Sequence, residues 1–185
     1  MVIVGIDEVG RGCWAGPVVA GAVILNEPII GLKDSKLLSK KQREKLAAEI
    51  QLSALAIGIG WVEPSKVDEI GLTAAVGLAM RRALEQISLT YDEIIIDGSF
   101  NFLGENPKAK AVIKADNSVP PVSAASIVAK VARDRYMAEI AARYPDYGFE
   151  KHVGYGTALH LEKLKLNGVS DLHRRSFKPI RALVQ

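Results

Sequence analysis

The sequence predicts an α/β fold in which helices flank a mixed five-stranded sheet, followed by a helical C-terminal part. Three observations predict it. Short β-branched runs bounded by turn residues recur five times; such runs read as strands. Between and after them lie stretches with apolar residues at helical spacing. No repeat, linker or low-complexity segment breaks the pattern, and alternation of this kind builds one layered α/β unit. A length of 185 residues suits one sizeable core and is short for two. Residues 1–185 are therefore expected to form a single domain, with about 145–185 as a helical, basic subregion.

The elements follow in order. Val2–Ile6 reads as a buried strand ended by Asp7-Glu8 and the Gly10-Arg11-Gly12 turn. Val18–Leu25 is a second strand, and Leu32–Lys36 a polar loop. Ser39 and Gln42 have capping-box spacing, which starts a helix running to about Gln51. Ala54–Val62 is the third strand. Pro64–Ile70 forms a short helix and Thr73–Ile87 a longer one, with Val76, Ala79, Met80, Ala83 and Leu84 on one stripe. Glu93–Ile96 and Ala111–Ile113 are the fourth and fifth strands, ending near Asp97 and Asp116. Pro120-Pro121 sits at the start of a long helix, Val122 to Arg143. Tyr144–Gly156 is a loop, Thr157–Leu166 a helix stopped by Asn167-Gly168, and the tail is short and basic.

Bulk composition narrows the function classes. The longest apolar run, Trp14 to Leu25, contains Gly and Pro and is too short to span a bilayer. No basic region precedes the first apolar stretch, so a signal peptide is not expected. The lone Cys13 excludes an internal disulfide and suits a reducing interior; a cytoplasmic protein with no membrane partner is expected. Net charge is +3, but its distribution matters more. From Lys151 to Gln185 there are seven Lys/Arg against Glu162 and Asp171, together with His152, His160 and His173. A basic end joined to an acidic front suggests a polyanionic partner. A merely solvated basic face explains the charge equally well.

Three strand ends carry acid: Asp7 and Glu8, Asp97, and Asp116. If these strands are parallel, their carboxyl ends share the edge where open α/β sheets bind ligands. Carboxylates gathered there repel and raise one another's pKa, and a divalent cation removes the conflict. Hard oxygen donors without a Cys or His set suit Mg²⁺ or Mn²⁺ rather than Zn²⁺. Two such ions about 4 Å apart can activate water and stabilise the leaving oxygen of a phosphodiester. Neighbours on a strand point to opposite faces, so Asp7 and Glu8 can serve one site only if the strand breaks there. Any single strand-end acid is more often just solvent-facing, as Asp92 is expected to be. No nucleophile motif competes. Gly10-Arg-Gly-Cys-Trp-Ala15 matches a dinucleotide fingerprint, but Gly16-Pro17 and a β-branched run follow where a helix is required.

GIDEVGRG at Gly5–Gly12 resembles the opening motif of type 2 ribonuclease H, the bacterial ribonuclease HII family. Four further segments resemble that family in the same order. They are LKDSKLLS at Leu32–Ser39, IDG at Ile96–Gly98, KADNSVPPVSAASIVAKVARD at Lys114–Asp134, and the stretch Tyr147–Phe177. The resemblance covers nearly the whole chain and implies an RNase H-like fold. It implies an Mg²⁺- or Mn²⁺-dependent endonuclease acting on RNA–DNA hybrids and on ribonucleotides embedded in duplex DNA. Cleavage falls 5′ to the ribonucleotide and leaves a 3′-OH and a 5′-phosphate, in the service of RNA primer removal and ribonucleotide excision. The family's catalytic, metal-binding acids fall on Asp7, Glu8, Asp97 and Asp116. Asp134 competes for the fourth place, but Lys130 one helical turn earlier makes an ion pair the better expectation.

The family's glycine-arginine-glycine motif, which contacts the 2′-OH, falls on Gly10, Arg11 and Gly12. Glycines permit close backbone approach, and the 2′-OH separates RNA from DNA. The tyrosine that stacks on the next deoxyribose falls on Tyr155, and the phosphate-contacting loop on Lys33, Asp34, Ser35 and Lys36. His160, Arg174 and Arg175 are expected on the substrate side, and the protein is expected to be a monomer. Two rivals remain at this level: a junction resolvase on the same fold, and a non-catalytic nucleic-acid-binding module that uses the basic tail.

Overall fold

In the computed structural model, which describes residues 1–104 and 106–183, strand β1 (Ile3–Val9) is the centre of a five-stranded sheet. On one side it pairs antiparallel with β2 (Val18–Leu25), which pairs antiparallel with β3 (Ala54–Val62). On the other it pairs parallel with β4 (Glu93–Asp97), and β4 pairs parallel with β5 (Ala109–Val112). The order β3-β2-β1-β4-β5 brings the carboxyl ends of the parallel strands β1, β4 and β5 to one edge.

Helices cover both faces. Val4, Ile6, Ile94 and Ile96 point toward α3 (Leu72–Leu84), whose Val76, Ala79, Met80 and Ala83 fill that side. A short helix, α2 (Pro64–Ile70), precedes it. The opposite face packs on α1 (Lys40–Ser53) and the long α5 (Pro120–Ala141) through Leu46, Ile50, Ala124, Ile127 and Val128. The α1 capping box forms between Ser39 and Gln42 as the spacing predicts. α5 lies close to the sheet because β1 and β2 present glycines beneath it: a Cβ at Gly21 would sit 2.5 Å from the Ala125 carbonyl oxygen, and one at Gly5 would overlap Pro121. That approach brings Ser126 of α5 to the acid edge.

Several boundaries differ from the sequence expectations. β1 runs on to Val9, so Asp7 and Glu8 lie within the strand, paired opposite Gly21 and Ala20. The strand does not break there. Only the parallel ladder to β4 stops, at Ile6 opposite Ile96, so β1 outruns its neighbour and the edge opens beside Asp7. β5 begins at Ala109 and ends at Val112, opposite Asp97, leaving Ile113 exposed. Asp116 is therefore not on a strand end but in a one-turn helix, α4 (Ala115–Ser118), entered through Lys114 in the left-handed region at φ 58°. α3 stops at Leu84, and just beyond it the Gln86 side chain bonds the β3 backbone at Ile59.

The C-terminal part contains α6 (Phe149–His152), inside what the sequence reads as loop, α7 (Ala158–Asn167) and α8 (Lys178–Arg181). They close around Phe149, Leu164, Met137 and Ile180. The segment after α7 folds back on the front of the chain through an Ala15–His173 bridge.

Candidate active site

Asp7, Asp97 and Asp116 each offer a carboxylate oxygen, and these oxygens lie within 4.8 Å of one another. Each comes from a different element. Asp7 follows the α5 face of β1, Asp97 ends β4, and α4 turns Asp116 back so that its amide donates to Asp97 Oδ1 at 3.4 Å. Ser123 of α5 ties α4 down by donating to the Asp116 carbonyl oxygen at 2.6 Å. Asp7 Oδ1 accepts the Glu8 amide at 2.8 Å, and the hydroxyls of Ser126 and Ser35 meet beside it at 2.9 Å.

Like charges at this edge are left in conflict. Burial, then Glu8 and Asp97, hold the Asp7 carboxyl well above its ordinary range. Burial, then Asp97 and Asp34, raise Asp116. Lys36 brings its ammonium 4.0 Å from Asp116 Oδ2 and 3.7 Å from Asp34 Oδ1. Burial works against that charge, yet Asp34, Asp7, Asp116 and Asp97 outweigh it and push the Lys36 pKa up. Three hard oxygen donors in one small volume, repelling one another, fit a divalent cation of the Mg²⁺ or Mn²⁺ kind.

Glu8 does not join this triad. It points to the opposite face of β1, as alternation requires, and its Oε1 lies 3.6 Å from Arg11 Nη1. Burial raises its pKa, Arg11 offsets this, and Asp97 raises it again. Even so, Glu8 lines the same cleft as Asp7 and Asp97. Gly10, Arg11 and Gly12 form the cleft's rim, with Lys36, Lys130 and Tyr155 along its walls. Gly10 is in the left-handed region at φ 84°, and a Cβ on Gly12 would meet only open space. The Tyr155 ring lies 5.3 Å from Lys130 Nζ and is partly exposed. Burial is the main cause that pushes its phenol up to about 12.

The polar loop is split by the fold. Ser35 and Lys36 line the cleft, Asp34 caps the short helical turn Ser35–Leu37, and Lys33 faces a separate groove beside α1. His160 and Arg174, expected on the substrate side, are fully buried. His160 spans Tyr155 and His173: its Nδ1 is 2.9 Å from the Tyr155 carbonyl oxygen and its Nε2 is 3.0 Å from His173 Nε2. Burial lowers the pKa of both histidines to about 4, so both are neutral near pH 7. Arg174 donates to the carbonyl oxygens of Arg11 and Gly16. Arg175 is exposed and is held through its backbone by Asp68. Asp134 is paired with Lys130 at 2.8 Å, leaving Asp116 in the cluster. Sequence reasoning missed Arg133 and Ser126. The available signal was a charged residue and a hydroxyl in the helical stretch that forms α5, whose buried positions otherwise include Ala124, Ile127 and Met137.

A mixed five-stranded sheet with three aspartates converging beside the open edge of its parallel strands defines a metal-dependent nuclease of the RNase H-like class. Comparison with known proteins is specific. The ribonuclease HII family model matches residues 4–180. A ribonuclease HII of Marinomonas sp. (strain MWYL1) is 47% identical over all of this chain and 94% of its own length. One from Shewanella sp. (strain MR-7) is 45% identical over all of this chain and 91% of its own length. The crystal structure of ribonuclease H2 from Pyrococcus horikoshii OT3 superposes with a TM-score of 0.82 at 28% identity, covering 99% of this chain and 97% of that one. The chain belongs to the ribonuclease HII family. It is an enzyme with that family's activity, metal-dependent hydrolysis of RNA in RNA/DNA duplexes, and it binds a nucleic-acid substrate. Among the described residues no helix is long and apolar enough to cross a membrane.

Proposed function

We propose that this chain, acting as a monomeric single-domain endonuclease, cuts on the 5′ side of ribonucleotides. Its substrates are long RNA–DNA hybrids and single ribonucleotides embedded in duplex DNA, and it leaves a 3′-OH and a 5′-phosphate. The reading rests above all on one observation: a single cleft is lined by acids of the metal-binding kind, by the Gly10-Arg11-Gly12 turn and by Tyr155.

Asp7, Asp97 and Asp116 would hold Mg²⁺ or Mn²⁺, with Glu8 at the margin of the site. When bound, such ions supply Lewis-acid stabilisation of a phosphoryl group and a water nucleophile at neutral pH. The chain's own residues do the rest. The turn at Gly10–Gly12 brings main chain up to the sugar edge, where a 2′-OH can be hydrogen-bonded. Tyr155 offers a ring face to the neighbouring deoxyribose. Lys36 and Lys130 bring positive charge to the phosphates on either side. Lys36 also offsets part of the repulsion among the acids.

The test uses three duplexes of one sequence: all DNA, DNA with one ribonucleotide, and a full hybrid. With Mg²⁺ or Mn²⁺ the second should be nicked at one phosphate, 5′ to the ribonucleotide, and Asp7→Asn should abolish the nick. Equal cutting of the all-DNA duplex would remove the 2′-OH from the argument. Tight binding of hybrid with no turnover in Mn²⁺ would favour a binding module instead.

A further inference from the structure

Two arginines are buried to 0% exposure behind the cleft, Arg133 on α5 and Arg174 after α7. Neither has a carboxylate within ion-pair distance among the described residues. A buried charge without a counter-charge is costly. Every acceptor these guanidinium groups find is a main-chain carbonyl, and every such carbonyl belongs to one of two loops. Arg133 donates from Nε to Pro17 at 2.9 Å, from Nη2 to Ala15 at 3.0 Å and from Nη1 to Val153 at 2.8 Å. Arg174 donates to Arg11 at 3.1 Å and twice to Gly16, at 2.8 and 3.0 Å.

These are the loops that carry the reading groups. One runs on from the Gly10–Gly12 turn; the other ends in Tyr155. Arg133 is the tie between them. Its side chain occupies the space a Cβ would need at Gly10, and it also lies against Gly16 and Gly154. Its guanidinium is 5.9 Å from the Tyr155 ring centre. The bonded Val153 is strained, a β-branched residue at φ 43°. Such a conformation persists only where its surroundings over-determine it. Main-chain bonds from Trp14 and Ala15 to the Gly154 carbonyl, at 2.8 and 3.2 Å, complete the join.

We infer that Arg133 and Arg174 are positioning residues: Arg133 ties the loop that follows the Gly10–Gly12 turn to the loop of Tyr155, Arg174 pins the first of these loops, and together they hold one preformed reader that sets discrimination for the embedded ribonucleotide without touching it. The inference rests on the proposed reading roles of that turn and of Tyr155. Only a planar fork of fixed N–H donors spans two loops in this way. Lysine keeps the charge but has a single flexible head. A long hybrid offers a cleavable phosphate at every step and no deoxyribose to Tyr155, so it tolerates a loosened reader better.

The experiment compares Arg133→Lys and Arg174→Lys with the wild type on the single-ribonucleotide duplex and the full hybrid. Displacing reacting groups by about 1 Å can cost about 100-fold. We therefore expect about that loss in kcat/KM on the single ribonucleotide, with at least a tenfold fall in its ratio to the hybrid. Mn²⁺ affinity, titrated on the free protein, should stay at the wild-type value. In a Tyr155→Ala background, Arg133→Lys should cost much less than it does alone. Equal proportional losses on both substrates, or none, would overturn the inference. So would full additivity with Tyr155→Ala. Should the lysine variants not fold, amide exchange of the wild type decides. Residues 14–16 and 153–155 should be as protected as β1 without substrate, and fast exchange there would sink the proposal. A wild type that cuts all-DNA duplex equally well refutes the proposed function instead. A discriminating wild type with equally discriminating lysine variants refutes this inference alone.

Discussion

At the acid edge, Asp7 and Asp116 are buried beside Asp97, and the cation that reaches them is Lys36, still 4.0 Å from its nearest oxygen in the triad. A short way behind, Arg133 and Arg174 are buried more completely, and their donors are spent on carbonyls of two loops. Among the described residues no buried side-chain nitrogen or oxygen lacks a hydrogen-bond partner, so the two regions differ in charge and not in hydrogen bonding. The edge keeps like charges in conflict until a cation relieves them, and that conflict becomes affinity for metal. The shoulder behind it is satisfied in the free protein and is rigid before substrate arrives. One region is built to be completed, the other to hold still.

Removing an acid should have the largest effect. Asp116→Asn should lower turnover by about 10³-fold, since groups that stabilise transition-state charge are worth that much. Steady-state cleavage of a hybrid checks this, and retention of a tenth of the activity would break the assignment of the edge.

Stability should respond next, and with opposite signs at the acid edge and in the buried histidine cluster of the C-terminal part. Asp7, Glu8 and Asp116 have raised pKa values in the folded state. Their contribution is therefore full below the ordinary carboxylate range, near 4, and is lost as pH rises through the raised values. His152, His160 and His173 have lowered values, the last two about 4. Their contribution is present above about 6.5 and is lost as pH falls toward 4. Calorimetry of metal-free protein should show Asp7→Asn melting higher than wild type at pH 7, by about 2–4 °C per kcal/mol of repulsion relieved. Saturating Mn²⁺ should raise the wild type and leave the acid-side loss due to the histidines. A wild type whose Tm ignores Mn²⁺ would contradict the account of the edge.

Tyr155→Ala should cost roughly 10- to 100-fold on an embedded ribonucleotide, the worth of one aromatic stacking face, with metal affinity unchanged. The smallest effect belongs to Asp134→Asn. Its pair with Lys130 is a partly exposed helix contact, worth about 0.5 kcal/mol, so activity should stay within a few-fold. A loss as large as that of Asp116→Asn would exchange the roles of the two aspartates.

Much of this was legible in the chain, and the particular failures are instructive. The Ser39–Gln42 capping box and the five strands depend on local residue order, and both stand in the structure. The convergence of Asp7, Asp97 and Asp116 followed from treating their strands as parallel, and β1, β4 and β5 are. The end of β5 was misplaced because β-branched Ile113 reads as strand, while the register against β4 ends the ladder at Val112. His160 and Arg174 are expected on the substrate side, and the fold buries both of them. Their partners lie on Tyr155, His173, Arg11 and Gly16, and for Arg174 those partners are more than 150 positions away. Glu8 shows the same limit: its face of β1 is set by alternation, but its access to the cleft depends on where β4 stops.

What the sequence by itself determined is the local order: which runs are strands, which residue caps a helix, which strand ends carry acid and which turn carries an arginine between glycines. Those depend on neighbours a few positions apart. Only the tertiary structure decided which charges are left in conflict and which are satisfied, because desolvation and partner supply at each side chain are set by segments that meet only once the sheet has formed and the C-terminal part has folded back over it.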